Sequence, residues 1–446
     1  MGPFLEIGWS PSLKLGGSLS VKSVNQFTVG KEVLRHDKHC RVCGSSSIET
    51  VLRLKDTPLE DQFVRQEYKD VAQPLYPLKL AICQDCGYVH LPYVMNPEAS
   101  YVDYVYVSGV TVGLRNHYDE YAKEIVSEFD IPERSLVIDL GSNDGSMLAS
   151  FKRTGMKVLG VEPAQAIAEQ ANEAELPTIN GFFTDDVASK ILQDYGSASI
   201  VTANYMYANI DDVMAFTKSV SRLLTRDGIF VVQTGYHPEQ MKIRMFDYIY
   251  HEHFSYFTVE VLKNIFWSCG LELIQARKTS PRGGSIRVVG QLQNGSRTGD
   301  SSVDQLIDEE RANGMRAVVT YQKFASDIQV AKGQVLENLR SLKNAGKRVV
   351  GFGASHSTTT LTYHFELAPF MEYLVDDNPL KHGRYSPGHH LPVHPSEKLY
   401  EDKPDYVVVL AWQHQKSIIE RHKAFLSSGG KFLVPLPNLR VIDAHQ

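Results

Sequence analysis

A short run of the chain places acid, base and hydrogen-bond donor groups next to one another. Its centre reads Tyr250-His251-Glu252-His253. A histidine titrates near neutral pH, so an imidazole oriented by a carboxylate, with a tyrosine hydroxyl nearby, is suited to remove a proton as a general base. Two other interpretations stay open, a metal site built on the H-x-H spacing and a pair of core histidines with satisfied hydrogen bonds. We favour general base chemistry for this cluster.

Four of the five cysteines form two pairs with the spacing of metal ligands. They are Cys40 and Cys43, then Cys83 and Cys86. Two residues between thiolates let each pair hold an ion from a tight turn, and four soft ligands favour tetrahedral zinc. Two disulfides are the alternative, but a chain without an export signal is expected in a reducing compartment. Since four thiolates leave no coordination position open, we expect a structural zinc ion.

A glycine-containing loop between two apolar runs has the features of an adenosine site. It starts at Asp139, passes through Gly141 and Asn143, and is followed by Glu162 at the end of the next predicted strand. Glycine lets the backbone approach a ligand closely, and an acid at that spacing can accept both ribose hydroxyls. The polar residues after Gly141 suit a cofactor with a cationic, amino-acid-like end better than NAD. A loop that only joins a strand to a helix is the alternative.

On these residues the chain resembles the class I S-adenosylmethionine methyltransferases. The resemblance implies that Asp139 and Asn143 lie near the methionine end of S-adenosylmethionine and that Glu162 binds the ribose. The predicted cofactor-binding residues are Asp139, Gly141, Asn143, Asp144, Glu162 and Asn204.

Strands, glycine turns and helices alternate around this loop. We predict strands at 136–140, 157–162, 200–203 and 229–233, with helices at 165–173 and 211–224 between them. This alternation predicts an α/β fold with a doubly wound parallel sheet. A second unit of strand, glycine turn and helix starts at Arg348 and predicts a smaller, Rossmann-like α/β domain at the C-terminus.

Four segments follow from these elements. We expect a loosely ordered extension at 1–36 and a small zinc-binding domain at 37–98. The S-adenosylmethionine-binding domain is predicted at 99–300. A helical connector and the C-terminal α/β domain, which would bind a nucleotide sugar, occupy 301–446.

The composition excludes several classes of function. The 446 residues carry 46 Lys and Arg against 52 Asp and Glu, a formal net charge of −6, which argues against a nucleic-acid partner. No apolar stretch approaches the roughly 18 residues that span a bilayer, so we expect no membrane insertion. The N-terminal residues lack the pattern of a signal peptide, which predicts a cytoplasmic protein. We expect a monomer or a homodimer.

A second polar loop follows the predicted strand that begins at Arg348. Ser355, His356 and Ser357 open the next helix, where backbone N–H groups, hydroxyls and the imidazole could hold a nucleotide pyrophosphate. Arg384 is a further candidate for contact with the nucleotide, and a solvated arginine is the alternative.

The order of these motifs, from about residue 37 to about residue 440, resembles that of the nucleotide-sugar C-methyltransferases. The segments that carry the resemblance are the two cysteine pairs, I-D-L-G-S-N-D-G at 138–145, Y-H-E-H-F-S-Y-F at 250–257, G-G-S-I-R-V at 283–288, G-F-G-A at 351–354, D-D-N-P at 376–379 and S-P-G at 386–388. The resemblance implies three domains that enclose a TDP-linked 4-ketohexose, which is methylated at C-3, the carbon next to the ketone.

The same resemblance implies roles for individual residues. His253 is the expected base that removes the proton next to the ketone, with Tyr250 and Glu252 beside it. His251 belongs to the same predicted catalytic cluster. Two further tyrosines, at positions Tyr104 and Tyr106, match a stretch that closes over the active site, with ordinary packing as the alternative.

The chain departs from the pattern of that family at two places. Asn209 stands where the family has the histidine of N-x-x-A-H-I, and an amide cannot transfer protons at neutral pH. Gln233 begins Q-T-G-Y where the family commonly has E-V-P-Y. We therefore expect Asn209 and His237 at the substrate site, with His237 replacing the missing imidazole or the sugar differing in its substituents. Other open functions are O- or N-methylation of another small molecule and nucleotide binding, either non-catalytic or in an oxidoreductase.

Overall fold

The computed structural model describes residues 34–96, 114–280 and 283–445, so Tyr104 and Tyr106 lie outside the described residues. The strands are β1 (Leu34–His36), β2 (Ile48–Arg53), β3 (Lys79–Cys83), β4 (Val89–His90), β5 (Tyr93–Met95), β6 (Leu136–Leu140), β7 (Lys157–Glu162), β8 (Thr178–Asn180), β9 (Ala198–Asn204), β10 (Leu224–Gly235), β11 (Ser255–Tyr256), β12 (Leu271–Thr279), β13 (Ser285–Leu292), β14 (Val349–Phe352), β15 (Leu374–Val375), β16 (Val393–His394), β17 (Tyr406–Val409), β18 (Lys431–Val434) and β19 (Arg440–Ile442). The α-helices are α1 (Leu114–Glu128), α2 (Ser146–Arg153), α3 (Gln165–Glu173), α4 (Asp185–Tyr195), α5 (Val213–Leu223), α6 (His237–Lys242), α7 (Val259–Ser268), α8 (Ser302–Ala312), α9 (Val318–Asn344), α10 (His356–Phe365), α11 (Lys398–Asp402), α12 (Gln415–Arg421) and α13 (Lys423–Ser427).

A seven-stranded sheet forms the middle of the chain. Its order is β12-β13-β10-β9-β6-β7-β8, and its pairings are parallel except the two that β13 makes. Neighbouring side chains on a strand point to opposite faces. Val137 and Ile138 of β6 accordingly belong to different apolar clusters, one on each face of the sheet. The predicted doubly wound α/β sheet is confirmed.

The local sequence explains these elements. β6 is buried from Val137 onward, as expected of a strand that is covered on both faces. Helix α5 buries side chains that recur every three or four positions, which places them on one face. The largest of them are Val213, Phe216, Val220 and Leu223. Asp212 precedes this helix, and its carboxylate accepts the Ala215 N–H at 2.9 Å as an N-cap.

The C-terminal domain is built on a second doubly wound sheet. Its order is β16-β15-β14-β17-β18-β19, and its pairings are parallel except that between β18 and β19. The expected Rossmann-like α/β domain is therefore confirmed. Helix α10 begins directly after the loop that leaves β14.

The N-terminal sheet contains a strand from much later in the chain. Strands β2, β3 and β4 pair antiparallel, and β11 pairs with β4 through Ser255 opposite His90. Strands β1 and β5 form a separate antiparallel pair. Residues next to the histidine cluster are thus held at the edge of the N-terminal sheet.

The N-terminal sheet also shares an apolar core with the C-terminal domain. One cluster contains Leu80 and Ile82 of β3, Phe324 and Ile328 of α9, and Val408 of β17. Helix α9, part of the predicted helical connector, therefore has one buried apolar face. The zinc-binding segment packs against this helix and the C-terminal sheet, a contact that the sequence did not predict.

None of the described helices is both long enough and apolar enough to cross a membrane.

Candidate functional site

A cleft opens where β9 and β10 end at the carboxyl edge of the central sheet. It is partly open to solvent. Its walls come from the ends of these strands, from α6 and from the histidine segment. The lining residues are Tyr205, Ala208, Thr234, Gly235, Gln240, Tyr248, His253, Ser255 and Tyr256.

Both ring nitrogens of His253 are held in this cleft. Nδ1 lies 3.1 Å from the carbonyl oxygen of Tyr248, and Nε2 lies 2.9 Å from the hydroxyl of Tyr250. Because a carbonyl oxygen only accepts, Nδ1 carries a proton. In the neutral ring, Nε2 is then the basic nitrogen next to the Tyr250 hydroxyl, the form that a general base requires.

The segment before His253 is anchored in the C-terminal domain. The buried carboxylate of Asp247 accepts the Trp412 indole N–H at 2.9 Å and the Gln413 amide at 3.0 Å. Burial raises the pKa of Asp247 to about 7. The Thr360 hydroxyl donates to the Ile249 carbonyl at 3.0 Å. These bonds fix the approach of the chain to Tyr250 and His253.

His251 lies in the core and not in the cleft. Its Nδ1 lies 2.7 Å from Glu60, and its Nε2 lies 3.3 Å from the Pro77 carbonyl. Burial acts to lower the pKa of His251, but the charge and hydrogen bond of Glu60 outweigh it and raise the pKa. The structure therefore places His251 in the buried core and does not bring it to the cleft beside His253, where its spacing led us to expect a second catalytic imidazole. Successive side chains of the histidine segment thus face different surroundings: His251 faces the core, Glu252 faces the C-terminal domain and His253 faces the cleft.

Glu252 points toward the C-terminal domain. Its carboxylate lies 3.3 Å from Nε2 of His356, whose Nδ1 lies 3.8 Å from Asp61. Burial acts to lower the pKa of His356, but Asp61 and Glu252 raise it to about 9. The His356 ring also lies 5.3 Å from the ring of Tyr250. Beside the cleft, an ionic cluster thus joins Asp61 of the N-terminal segment, Glu252 of the histidine segment and His356 of the C-terminal domain.

Sequence reasoning missed Lys381 in this cluster. Its buried ammonium lies 3.0 Å from Asp61 and donates to the Ala354 carbonyl at 2.6 Å. Burial acts to raise the pKa of Asp61, yet the charges of His356, Lys381 and Arg384 lower it overall. Arg384 is therefore close enough to act on the cluster. In the sequence, Lys381 is a single lysine after D-D-N-P, and no motif around it indicates that it contacts Asp61.

The predicted pyrophosphate loop is largely satisfied by its own residues. Ser355 and Thr358 form a capping box at the start of α10. The Ser355 hydroxyl also lies 3.2 Å from that of Ser357, and the Ala354 N–H donates to Asp376 at 2.6 Å. The structure thus brings Ser355, His356 and Ser357 together, with each engaged in local contacts.

The first glycine loop has the shape of a cofactor site. Gly141 has φ +69°, and a Cβ there would lie 2.8 Å from Met206 Cγ. The Glu162 carboxylate accepts the N–H groups of Asn143 at 2.9 Å and Ala164 at 2.8 Å. A carboxylate offers about four lone-pair positions, so Glu162 keeps capacity for ribose hydroxyls. Burial raises its pKa.

Buried polar atoms near this loop also fit S-adenosylmethionine. Asp139 accepts the Thr202 hydroxyl at 2.6 Å and the Asn204 amide at 3.4 Å, and burial raises its pKa to about 7. Among the described residues, Asn204 Oδ1 and Ser142 Oγ are buried without a hydrogen-bond partner. An ammonium group, such as the methionine end carries, would donate to such acceptors. Asp144 caps the next helix through the Ser146 N–H at 3.1 Å.

The four paired cysteines come together as a zinc site. Their sulfur atoms all lie within 4.8 Å of one another, with Cys40 and Cys86 at 3.6 Å and Cys43 and Cys83 at 3.5 Å. Tetrahedral zinc with Zn–S bonds of about 2.3 Å requires separations of about 3.8 Å, whereas a disulfide requires about 2.05 Å. The sulfurs fit zinc, and we call these four residues and their two turns the zinc knuckle. In the part of the chain that the structure describes, no other cluster of three or more His, Cys, Asp or Glu side chains fits a metal ion.

Two predicted substrate residues lie at the margin of the cleft. His237 is buried between the rings of Tyr256 and Tyr321 and is not among the lining residues. Burial lowers the pKa of His237 to about 3, which makes it a weak proton acceptor, so neither its basicity nor its position favours the expected replacement of the missing imidazole. Asn209 follows the lining residue Ala208, and its Oδ1 is buried without a partner among the described residues.

Tyr205 is a wall residue that the sequence did not reveal. It adopts φ +57°, an uncommon conformation for a residue with a side chain, at the end of β9. Gln233 donates to its hydroxyl at 2.8 Å, contacts Nε2 of His117 at 2.8 Å and accepts from Arg287 at 3.0 Å. The unusual glutamine of Q-T-G-Y thus contributes to holding Tyr205.

Comparisons with known proteins cover nearly the whole chain. Residues 40–101 match a zinc binding domain, 114–276 a methyltransferase domain and 280–437 the C-methyltransferase C-terminal domain. C-methyltransferase NovU from Streptomyces niveus is 32% identical over 415 residues, which are 93% of this chain and 99% of NovU. These matches support methylation of carbon over the O- and N-methylation and nucleotide-binding alternatives.

Two similar solved structures each cover about two fifths of this chain. Magnesium protoporphyrin IX methyltransferase from Synechocystis PCC 6803 is 18% identical, with a TM-score of 0.32 over 41% of this chain and 84% of that one. The CcbJ methyltransferase from Streptomyces caelestis is 15% identical, with a TM-score of 0.31 over 39% and 89%. Scores this low carry no weight, whereas the family models and NovU decide the assignment. The chain therefore belongs to the family of S-adenosylmethionine-dependent, zinc-binding C-methyltransferases that includes NovU.

Proposed function

We propose that this enzyme methylates C-3 of a nucleotide-linked 4-keto-deoxysugar, with TDP as the expected nucleotide. The observation that carries the proposal is the His253 imidazole on the cleft wall, held by Tyr248 and Tyr250. A carbon atom is a poor nucleophile until a base removes its proton, and a neighbouring ketone makes that step accessible. A neutral imidazole in a partly enclosed cleft suits this reaction.

Each group in the proposed reaction has a defined task. The Tyr250 hydroxyl, which lies next to Nε2 in this structure, first turns to donate to the ketone oxygen and leaves the Nε2 lone pair free. Nε2 of His253 then takes the proton from C-3, and the electron pair of the broken C–H bond moves into an enolate whose oxygen keeps the hydrogen bond from Tyr250. C-3 forms its new bond to the methyl carbon as the bond between that carbon and sulfur breaks. S-adenosylmethionine, when bound, supplies this methyl group on its sulfonium.

The nucleotide would lie against the C-terminal domain in this proposal. His356 opens α10, and Lys381 donates to the Ala354 carbonyl just before it, while Arg384 also acts on the same carboxylate, Asp61. Helix starts favour anions. A diphosphate placed there would leave the sugar near Tyr250, whose ring is 5.3 Å from that of His356. Deoxysugar biosynthesis in the cytoplasm is the setting that we propose.

The decisive experiment separates proton removal from methyl transfer. Purified enzyme is incubated with a panel of TDP-4-ketosugars in D2O without methyl donor, and deuterium at C-3 is measured by mass spectrometry. We expect His253→Ala to slow the exchange by about 10² to 10⁴-fold, the usual contribution of a general base. His445→Ala, at an exposed histidine near the C-terminus, is the matched control.

Two results would count against this proposal. Undiminished exchange in the His253→Ala variant would remove the base assignment. Failure of every 4-ketosugar to gain a methyl group from S-adenosylmethionine would remove the substrate class.

A further inference from the structure

The zinc knuckle touches the segment that carries His253. Arg41 lies between the ligands Cys40 and Cys43, and its Nη2 donates to the carbonyl oxygen of Phe254 at 2.8 Å. Phe254 directly follows His253 in the chain. One guanidinium group therefore connects the metal-binding turn to the neighbour of the proposed base.

The Arg41 side chain is a buried bridge. It is 7% exposed, and its Nη1 donates to the Leu91 carbonyl at 2.9 Å. The Leu91 N–H in turn donates to the Phe254 carbonyl at 3.0 Å. Hydrogen bonds from a charged donor are stronger than neutral ones, and a buried carbonyl that loses its donor is costly. The forked guanidinium thus holds two segments in a fixed relation.

The second cysteine pair reaches the same place through strand pairing. Cys83 ends β3, which pairs with β4, and β4 pairs with Ser255 and Tyr256 of β11. Tyr88, two residues after Cys86, hydrogen-bonds through its hydroxyl to the Ser255 hydroxyl. Ser255 and Tyr256 both line the cleft. Both halves of the zinc knuckle therefore act on the residues that follow His253.

We infer that the zinc knuckle positions the catalytic base and that Arg41 is the positioning residue that connects them. This inference rests on the proposed role of His253. Four thiolates on one zinc ion would fix the turn that contains Arg41. The hydrogen bond from Arg41 to the Phe254 carbonyl would then restrict the movement of the neighbouring His253. Displacement of a reacting group by about 1 Å can cost roughly 10²-fold in rate. The loop at Gly141, which is predicted to bind the cofactor, does not depend on this contact.

The test compares Arg41→Gln with Arg35→Gln. Arg35 pairs with Asp37 and Asp211, the two acids that Arg41 also approaches, and has no contact with the Phe254 carbonyl among the described residues. The measurements are zinc content, backbone hydrogen exchange over 253–257, affinity for S-adenosylhomocysteine, and kcat and KM for methyl transfer. Arg41→Lys and Tyr88→Phe serve as milder variants that address the same contacts if Arg41→Gln does not fold.

We expect Arg41→Gln to keep its zinc and its affinity for S-adenosylhomocysteine. Exchange over 253–257 should rise at least about tenfold, and kcat should fall by about 10 to 10²-fold. Arg41→Lys should recover part of both changes, and Arg35→Gln should resemble the unmodified enzyme. Exchange and kcat in Arg41→Gln equal to those of Arg35→Gln would overturn the inference.

The exchange measurement also separates this inference from the proposed function. Increased exchange with unchanged kcat would show that Arg41 orders the segment without positioning the base, and would overturn the inference. Full activity of His253→Ala would instead remove the base itself, whatever the exchange data show for Arg41.

Discussion

The hydroxyl of Tyr250 lies 2.9 Å from Nε2 of His253, whose side chain lines the cleft. The pair places a base next to a hydroxyl that can donate a hydrogen bond to the oxygen on which negative charge develops. Proton removal next to a ketone needs both groups, since the proton leaves carbon while negative charge gathers on oxygen.

We expect Tyr250→Phe to lower kcat by about 10²-fold, the usual cost of removing one donor to a developing oxyanion. Deuterium exchange at C-3 should slow to a similar extent, because the donor acts on the enolate. Tyr400→Phe is a matched control, since the Tyr400 hydroxyl also lies 2.9 Å from a histidine, His422, in the C-terminal domain. Equal rates in the two variants would remove Tyr250 from the reaction.

We expect His251→Gln to affect stability rather than chemistry. The substitution breaks the buried pair with Glu60, and hydrogen bonds to charged groups are worth about 1.5 to 3 kcal/mol. Urea unfolding should show a loss of that size, while the folded variant exchanges C-3 deuterium at close to the normal rate. Slower exchange by 10²-fold or more in a fully folded variant would return His251 to the catalytic set.

The Asp247 carboxyl should make stability depend on pH. Its pKa is raised to about 7, so the folded protein keeps a proton that the unfolded chain releases from about pH 4 upward. Stability therefore falls as pH rises through this window and levels off above about 7. The amide of Asp247→Asn does not titrate, so the free energy of unfolding of this variant should not fall in this window. Relative to the unmodified protein, the variant should therefore become more stable by roughly 2 to 3 kcal/mol between pH 5 and pH 8. Urea unfolding at the two pH values measures the change, and parallel pH profiles would contradict the prediction.

We expect Glu162→Gln to weaken binding of S-adenosylhomocysteine by about 10 to 10²-fold. An amide has one acceptor oxygen, so the N–H groups of Asn143 and Ala164 lose a partner and the ribose loses an acceptor. Calorimetric titration measures the affinity. Glu169→Gln, at an exposed acid on α3, is the matched control, and equal affinities would place the ribose elsewhere.

Ser355→Asp should weaken the binding of TDP by about tenfold through charge repulsion, whereas helix α10 keeps its cap because aspartate is a good N-cap residue. Ser355→Asn, which is neutral and also caps well, should bind TDP nearly as the unmodified enzyme does. Calorimetry with TDP decides between them, and unchanged affinity in Ser355→Asp would place the diphosphate away from this loop.

Local sequence was sufficient to predict the two α/β sheets and the zinc knuckle. Apolar runs and glycine turns define the strands, and a C-x2-C spacing suits a metal ion without knowledge of the rest of the chain. The four sulfurs come together as that spacing predicts.

Roles within the histidine segment could not be separated in the same way. His251 and His253 are two positions apart, and their different surroundings depend on Glu60, which is 191 residues away in sequence from His251. Lys381 is likewise 320 residues from its partner Asp61. Contacts over such separations arise from the packing of sheets, which no local pattern encodes.

The pairing of β11 with β4 has a consequence for synthesis of the chain. The edge of the N-terminal sheet at β4 has no partner until residues 255–256 have left the ribosome, well after the two cysteine pairs have emerged. Until then, an open strand edge and the apolar face of β3 are exposed to other chains, which is a risk of aggregation. The metal ion can be bound early, but the N-terminal sheet is completed late, so residues 34–96 cannot be excised as a self-sufficient module.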